Sequence, residues 1–128
     1  MGNSGFSLNQ GAITPTSAPG ALFTIRYPIN TTATQDSTEV IPIGARVLLT
    51  SVEIDAPYDP GTTIEVGQAG SLALLEATTD NTPQVVEAYQ VPQDTDWGVA
   101  ALPVRATIGG APAAGSGHVL VQYSMTVP

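Results

Sequence analysis

The stretch His118-Val119-Leu120-Val121-Gln122-Tyr123-Ser124-Met125-Thr126-Val127 decides how the chain is to be read. Val119, Val121, Tyr123, Met125 and Val127 fall on one side, and His118, Gln122, Ser124 and Thr126 on the other. A side-chain period of two belongs to a β-strand with one face buried and one face wet. The same period recurs upstream. In Leu22–Ile29, the residues Phe23, Ile25, Tyr27 and Ile29 oppose Thr24 and Arg26. In Arg46–Asp55, Leu48, Thr50, Val52 and Ile54 oppose Ser51, Glu53 and Asp55. Thr62–Val66 sets Ile64 and Val66 against Thr63 and Glu65, and Leu102–Ile108 sets Leu102, Val104, Ala106 and Ile108 against Pro103, Arg105 and Thr107.

Two shorter strands are expected at Glu39–Ile43 and Gln84–Val91. Only Ala69–Thr78 reads as a helical turn or two, with Leu72, Leu75 and Glu76 at helical spacing. The breaks carry turn chemistry: Pro57-Tyr58-Asp59-Pro60-Gly61, Thr79-Asp80-Asn81-Thr82-Pro83, Gly109-Gly110-Ala111-Pro112 and Gly115-Ser116-Gly117. About seven or eight short strands separated by such turns predict an all-β fold, an antiparallel β-sandwich or jelly roll over residues 21–128. Pro28, Pro42, Pro92 and Pro103 then belong at sheet edges or bulges, where a missing N–H is tolerated. Residues 1–20, MGNSGFSLNQGAITPTSAPG, are too polar and too rich in Gly, Ser and Pro to pack a core. They read as an extended or disordered arm whose spaced Phe6, Leu8 and Ile13 suit docking onto a neighbour.

The 128 residues suit one domain, and 42% hydrophobic residues can fill its core. Three arginines and no lysine stand against eleven acids, giving a formal charge of -8. Arg26, Arg46 and Arg105 are too few and too scattered for a nucleic-acid groove or an anionic membrane surface. No stretch has the roughly 20 apolar residues of a bilayer span. Met1–Gly5 has neither a charged n-region nor an apolar h-region, so no secretory leader is expected. With no cysteine there is no disulfide, thiolate zinc site or thiol nucleophile.

A catalytic reading finds little support. His118, the only histidine, opens the last strand on its polar face. Gly115-Ser116-Gly117 is too short for a nucleophile elbow and reads as a loop. Asp55 and Asp59, or Asp94-Thr95-Asp96, do not form a calcium-loop pattern and read as solvated turn residues. A glycosidase pair would have to come from Glu53, Asp55, Glu65, Glu76 or Glu87, which fall mostly on polar strand faces. Gly109-Gly110 and Gly115-x-Gly117 precede a strand and lack a lysine, unlike phosphate loops. No catalytic residue, cofactor or metal is therefore assigned. Tyr27 and Tyr123 read as core, whereas Tyr58 and Trp97 read as exposed loop aromatics, able to anchor a partner or carry a glycan. The three arginines either tie subunits together or neutralise acids on their own surface.

The run Val40-Ile41-Pro42-Ile43-Gly44-Ala45-Arg46-Val47, continuing to Asp55, resembles small virion proteins of tailed bacteriophages. There an IPxGARV strand start leads into a V-x-V/I-x strand. Tyr58-Asp59-Pro60-Gly61-Thr62-Thr63 leading to Ile64–Gly67, Ser71–Leu75, and the ending Ala114–Tyr123 are similar to the same group. The resemblance covers roughly residues 38–76 and 100–127, about half the chain. It implies a head decoration (cement) protein, a head-fibre base or a tail-associated sandwich. Decoration proteins of this kind are commonly homotrimers bridging the major capsid protein at threefold positions. The implied setting is the outer capsid surface of a virion assembled from protein made in the host cytoplasm. A trimer would carry -24, three times the chain's -8, and would be repelled by packaged DNA, which favours that outer location. In this reading residues 1–20 and the trimer contacts bridge capsomers. The alternative is a tail or fibre sandwich that binds a receptor or glycan through Trp97 and Tyr58.

Overall fold

The computed structural model of the protein describes residues 21–125, in which the alternating segments become eight strands. They are β1 (Leu22–Ile29), β2 (Thr34–Ile41), β3 (Arg46–Ala56), β4 (Thr63–Gln68), β5 (Ser71–Glu76), β6 (Ala88–Asp96), β7 (Leu102–Gly109) and β8 (Ser116–Ser124). One sheet has the order β1-β8-β3-β6 and the other β2-β7-β4-β5. Every pairing is antiparallel. First pairs with last, second with seventh, third with sixth and fourth with fifth, as in one long hairpin rolled over into two layers. The expected antiparallel β-sandwich is what the chain forms.

The period of two does the work foreseen for it. β1 pairs with β8 without a break from Leu22 opposite Ser124 to Ile29 opposite Gly117. Ile25, Tyr27 and Ile29 therefore share the inner face with Val119, Val121 and Tyr123. The second sheet answers with Ile41, Ile64, Val66, Val104, Ala106 and Ile108. Each fully buried aliphatic side chain contributes about 1.5–3 kcal/mol, and a one-residue slip would turn the whole set to water. Tyr27 joins the layers, its hydroxyl donating to the Gln35 carbonyl at 3.2 Å. At Gly117 the strands pack so closely that an added Cβ would overlap the Glu53 carbonyl.

Four expectations are corrected. In β3 a bulge between Val47 and Leu49 shifts the register, so Val47 rather than Leu48 is fully buried. β2 begins at Thr34, not Glu39: its first half, Thr34–Thr38, is wholly polar and lacks the alternation that marks a strand, and the ladder is irregular between Asp36 and Val40. There the Ser37 hydroxyl replaces a ladder carbonyl, accepting from Val104 N at 3.0 Å and donating to Glu39 O at 2.6 Å. β6 runs over Ala88–Asp96 instead of Gln84–Val91, because Pro92 and Asp94-Thr95-Asp96 sit on an edge strand that needs partners on one side only. Ala69–Thr78 is no helix: Ser71–Glu76 pairs with β4, and only Thr78–Asp80 makes a 3-10 turn. Pairing with a neighbour overrides helical spacing in so short a segment.

The prolines obey their rule. Pro28 and Pro92 lie on the edge strands β1 and β6, and Pro42 follows the edge strand β2. Pro103 lies on the inner strand β7, but the β4 ladder stops at Arg105, leaving Pro103 opposite Val40 of β2 alone.

Candidate functional site

The two aromatic residues expected at the surface are core residues. Tyr58 is 2% and Trp97 1% exposed. Facing strands fill the space between the layers, but the two ends must be closed by residues from the connections. Tyr58, between β3 and β4, closes one end. Its hydroxyl donates to Asn30 O at 2.9 Å, its N–H donates to Pro83 O at 2.9 Å, and its ring covers Gly115, where a Cβ would overlap it. Four connections thus meet at one residue. Burial, with the nearby Asp55 charge, pushes the Tyr58 hydroxyl up to about 12. Trp97, just past β6, sits at the other end, its N–H donating to Ala45 O and its carbonyl accepting from Gln68 Nε2, both at 2.9 Å. A Pro- or Asp-rich flank resembles a wet loop in sequence, and the closing role appears only when the layers stack.

Each arginine is paired within its own chain. Arg26 Nη2 donates to Glu53 Oε1 at 2.8 Å, and Arg46 Nε donates to Asp94 Oδ1 at 2.8 Å. Arg105 and Asp36 sit directly opposite on β7 and β2 and form a two-pronged pair, Nε to Oδ1 at 2.9 Å and Nη2 to Oδ2 at 3.0 Å. Hydrogen bonding to Arg105 holds the Asp36 carboxyl below the usual carboxylate range. The lowered folded-state value makes the pair's contribution present above the unfolded-state titration and lost as pH falls through the folded one. Asp36→Asn should therefore cost up to about 1 kcal/mol at neutral pH, and nothing once both states of Asp36 are protonated. Urea midpoints of both proteins at neutral and strongly acidic pH check this; an equal difference at both would reject it.

Phe6, Leu8 and Ile13, the expected arm anchors, lie outside the described residues. His118 Nδ1 is 2.7 Å from Asp55 Oδ2, but the ring nitrogen is not aligned for a hydrogen bond, so the two groups are in contact only. No serine hydroxyl is hydrogen-bonded to this ring among the described residues. Nor is there any group of three His, Asp or Glu that could hold a metal among them.

Glu76 is the acid that the sequence misplaces. Expected with the acids of polar strand faces, it is 1% exposed. Asn81 folds back over the end of β5, its Nδ2 donating to Glu76 Oε2 at 2.9 Å and to Ile64 O at 3.0 Å. Burial, aided by the charge of Asp80, pushes the Glu76 carboxyl up to about 8 against the opposing hydrogen bond from Asn81. Glu76 Oε1 and Asn81 Oδ1 have no protein partner. No local signal marks this burial, which depends on the segment after β5 returning across it.

Neither a protein-family model nor a curated protein matches the chain. Its fold is similar to that of a chain in the cyanophage Pam1 capsid asymmetric unit, with 21% identity and a TM-score of 0.65, over 97% of each chain. It is also similar to a chain in the acidic stable capsid structure of Helicobacter pylori bacteriophage KHP30. That match has 13% identity and a TM-score of 0.57, covering 83% of this chain and 89% of that one. What the protein shares with these two phage capsid chains is its two-layered antiparallel fold.

Proposed function

We propose that the protein is a non-enzymatic structural component of a phage virion, a decoration or cement protein on the outside of the capsid. The observation that carries this reading is the similarity of its fold to a chain of the Pam1 capsid asymmetric unit. The KHP30 capsid chain and the IPxGARV-type strand start at Ile41–Val47 support it. Its partners are the major capsid protein and further copies of itself, as a homotrimer. Residues 1–20 are the attachment segment, with Phe6, Leu8 and Ile13 as anchors, and linking three such segments raises the effective concentration of each. The net charge of -8 favours the outer surface over the DNA-filled interior. The rival glycan-binding reading needed Trp97 and Tyr58 as exposed platforms, and both are buried.

Deletion of residues 2–20 is expected to abolish saturable co-sedimentation with capsids while leaving the urea midpoint of the domain unchanged. Binding of the truncated chain at full-length affinity would remove the attachment role. Binding of the full chain at only a few copies per particle would move it from the capsid surface to a vertex or the tail.

A further inference from the structure

The exposed large apolar side chains of the described residues are unevenly placed. Leu22, Val40, Ile43, Leu72 and Val99 are exposed at the end where β1, β3, β5 and β7 begin and β2, β4, β6 and β8 finish; only Val85 and Val86 lie at the other end. Val99 is 92% and Ile43 59% exposed. Hydrogen bonds join the connections that carry them: Gly44 N donates to Gly98 O at 3.1 Å, and Gln68 Nε2 donates to Trp97 O at 2.9 Å. Ile43 and Val99 therefore sit on adjoining loops, with the β4–β5 turn beside them.

The loops themselves are free of charge. Residues 40–45, 67–75 and 97–104 contain no charged side chain, while Asp55, Asp59, Asp80 and Glu87 lie toward the far end. The acids nearest the apolar loops are on the strands behind them. Asp94 is paired with Arg46, Asp96 accepts from Gly98 N at 3.1 Å, and Glu39 lies on β2. Both ends of the described chain also emerge here, since Leu22 is opposite Ser124. The residues before Ala21 carry no charged side chain either, and 20 residues can span at most ~70 Å.

Resting on the virion reading above, we propose that these uncharged apolar loops are the docking face of the molecule. Its partner is an uncharged, apolar protein surface of the phage shell, met at the end from which the segment before Ala21 leaves the domain. The acidic far end then points away. Large apolar side chains exposed on neighbouring loops at one end mark an interaction site. A phosphate-bearing partner, whether nucleic acid or lipid, would require cations that these loops lack. The loops are held by the Gly44 and Gln68 hydrogen bonds, so docking orders little of the domain.

The test compares two double variants with the same added charge, Ile43→Glu/Val99→Glu at the apolar end and Val85→Glu/Val86→Glu at the far end. Both pairs are exposed, and equal urea midpoints would establish that both variants fold. Co-sedimentation with purified shells lacking this protein should show the first variant binding at least about tenfold more weakly than the parent, and the second binding like the parent. If both variants bind like the parent, or only the second loses affinity, the docking face is wrong while the virion reading stands. If the parent itself does not sediment with shells, the virion reading fails and takes the proposal with it. Self-association abolished by Ile43→Glu/Val99→Glu would assign the end to a second copy. Faster amide exchange at 40–45 and 97–101 on deleting residues 2–20 from the free protein would assign it to the chain's own segment. Either result would overturn the proposal.

Discussion

Trp97→Ala is expected to cost about 3–5 kcal/mol of folding stability, the range for removing a large buried aromatic side chain. Trp97 is 1% exposed and closes the end of the sandwich where three uncharged connections meet. Its main-chain hydrogen bonds to Ala45 and Gln68 hold the loop in place, so the backbone cannot readily collapse into the space left by the indole. Small domains are stable by only about 5–15 kcal/mol, so this single change removes a large part of the total. Trp97→Phe should cost distinctly less, because it keeps most of the ring volume and discards an Nε1–H that has no protein partner. Urea unfolding followed by circular dichroism measures both, since the chain's one tryptophan is then absent as a fluorophore. A loss below about 1 kcal/mol for Trp97→Ala would be an ordinary surface effect and would reject the closing role.

The second large effect is a pH dependence that runs against the acidic character of the chain. Glu76 has its folded-state value raised from 4.5 to about 8, chiefly by burial. Between those two values the unfolded chain releases the Glu76 proton while the folded chain keeps it. The folded state then binds more protons, so stability falls as pH rises, by up to about 1.4 kcal/mol per pH unit from this group. Below that window both states hold the proton and no penalty applies. Above it both have lost the proton and the full penalty, on the order of 5 kcal/mol, is present. Glu76→Gln keeps the shape and an oxygen to accept from Asn81 Nδ2, but cannot ionise. The variant should equal the parent near pH 4, exceed it progressively through neutrality and lead by several kcal/mol near pH 9. Taking the difference between the two proteins at each pH cancels the titration of the other acids. Parallel curves would mean that Glu76 is already ionised in the fold, with water or an ion serving its unpartnered oxygen.

The two positions also explain what was legible beforehand. His118–Ser124 and Leu22–Ile29 could be assigned as strands with the correct inward faces because alternation is local: each residue's side is fixed by its neighbour's; Thr126 and Val127 of the same run lie outside the described residues. Val119, Val121, Ile25 and Ile29 are all buried as expected. The prolines also carried usable information, since a missing N–H confines them whatever the rest of the chain does. Ser71–Glu76 was misread because its consecutive buried residues, Leu75 and Glu76, follow from pairing with β4 and from the fold-back of Asn81, neither of which is local. The bulge at Leu48 escaped notice for a related reason: an extra residue is recognisable only against the strand it fails to match.

Three features were thus determined by the sequence alone. They are the all-β class, the inner faces of its regular strands, and the lack of the basic residues that nucleic acid or anionic membrane would demand. Tertiary structure decided how strands far apart in the chain become neighbours, and with that everything at the ends of the sandwich. It turned Tyr58 and Trp97 from apparent loop aromatics into closing residues, gave each arginine an acid from a distant strand, and buried Glu76. It also gathered the apolar loops at one end and four of the acids toward the other. The physical reason is one of range. Side-chain alternation is set by bonds between adjacent residues, whereas burial at an end depends on which connections a rolled hairpin brings together.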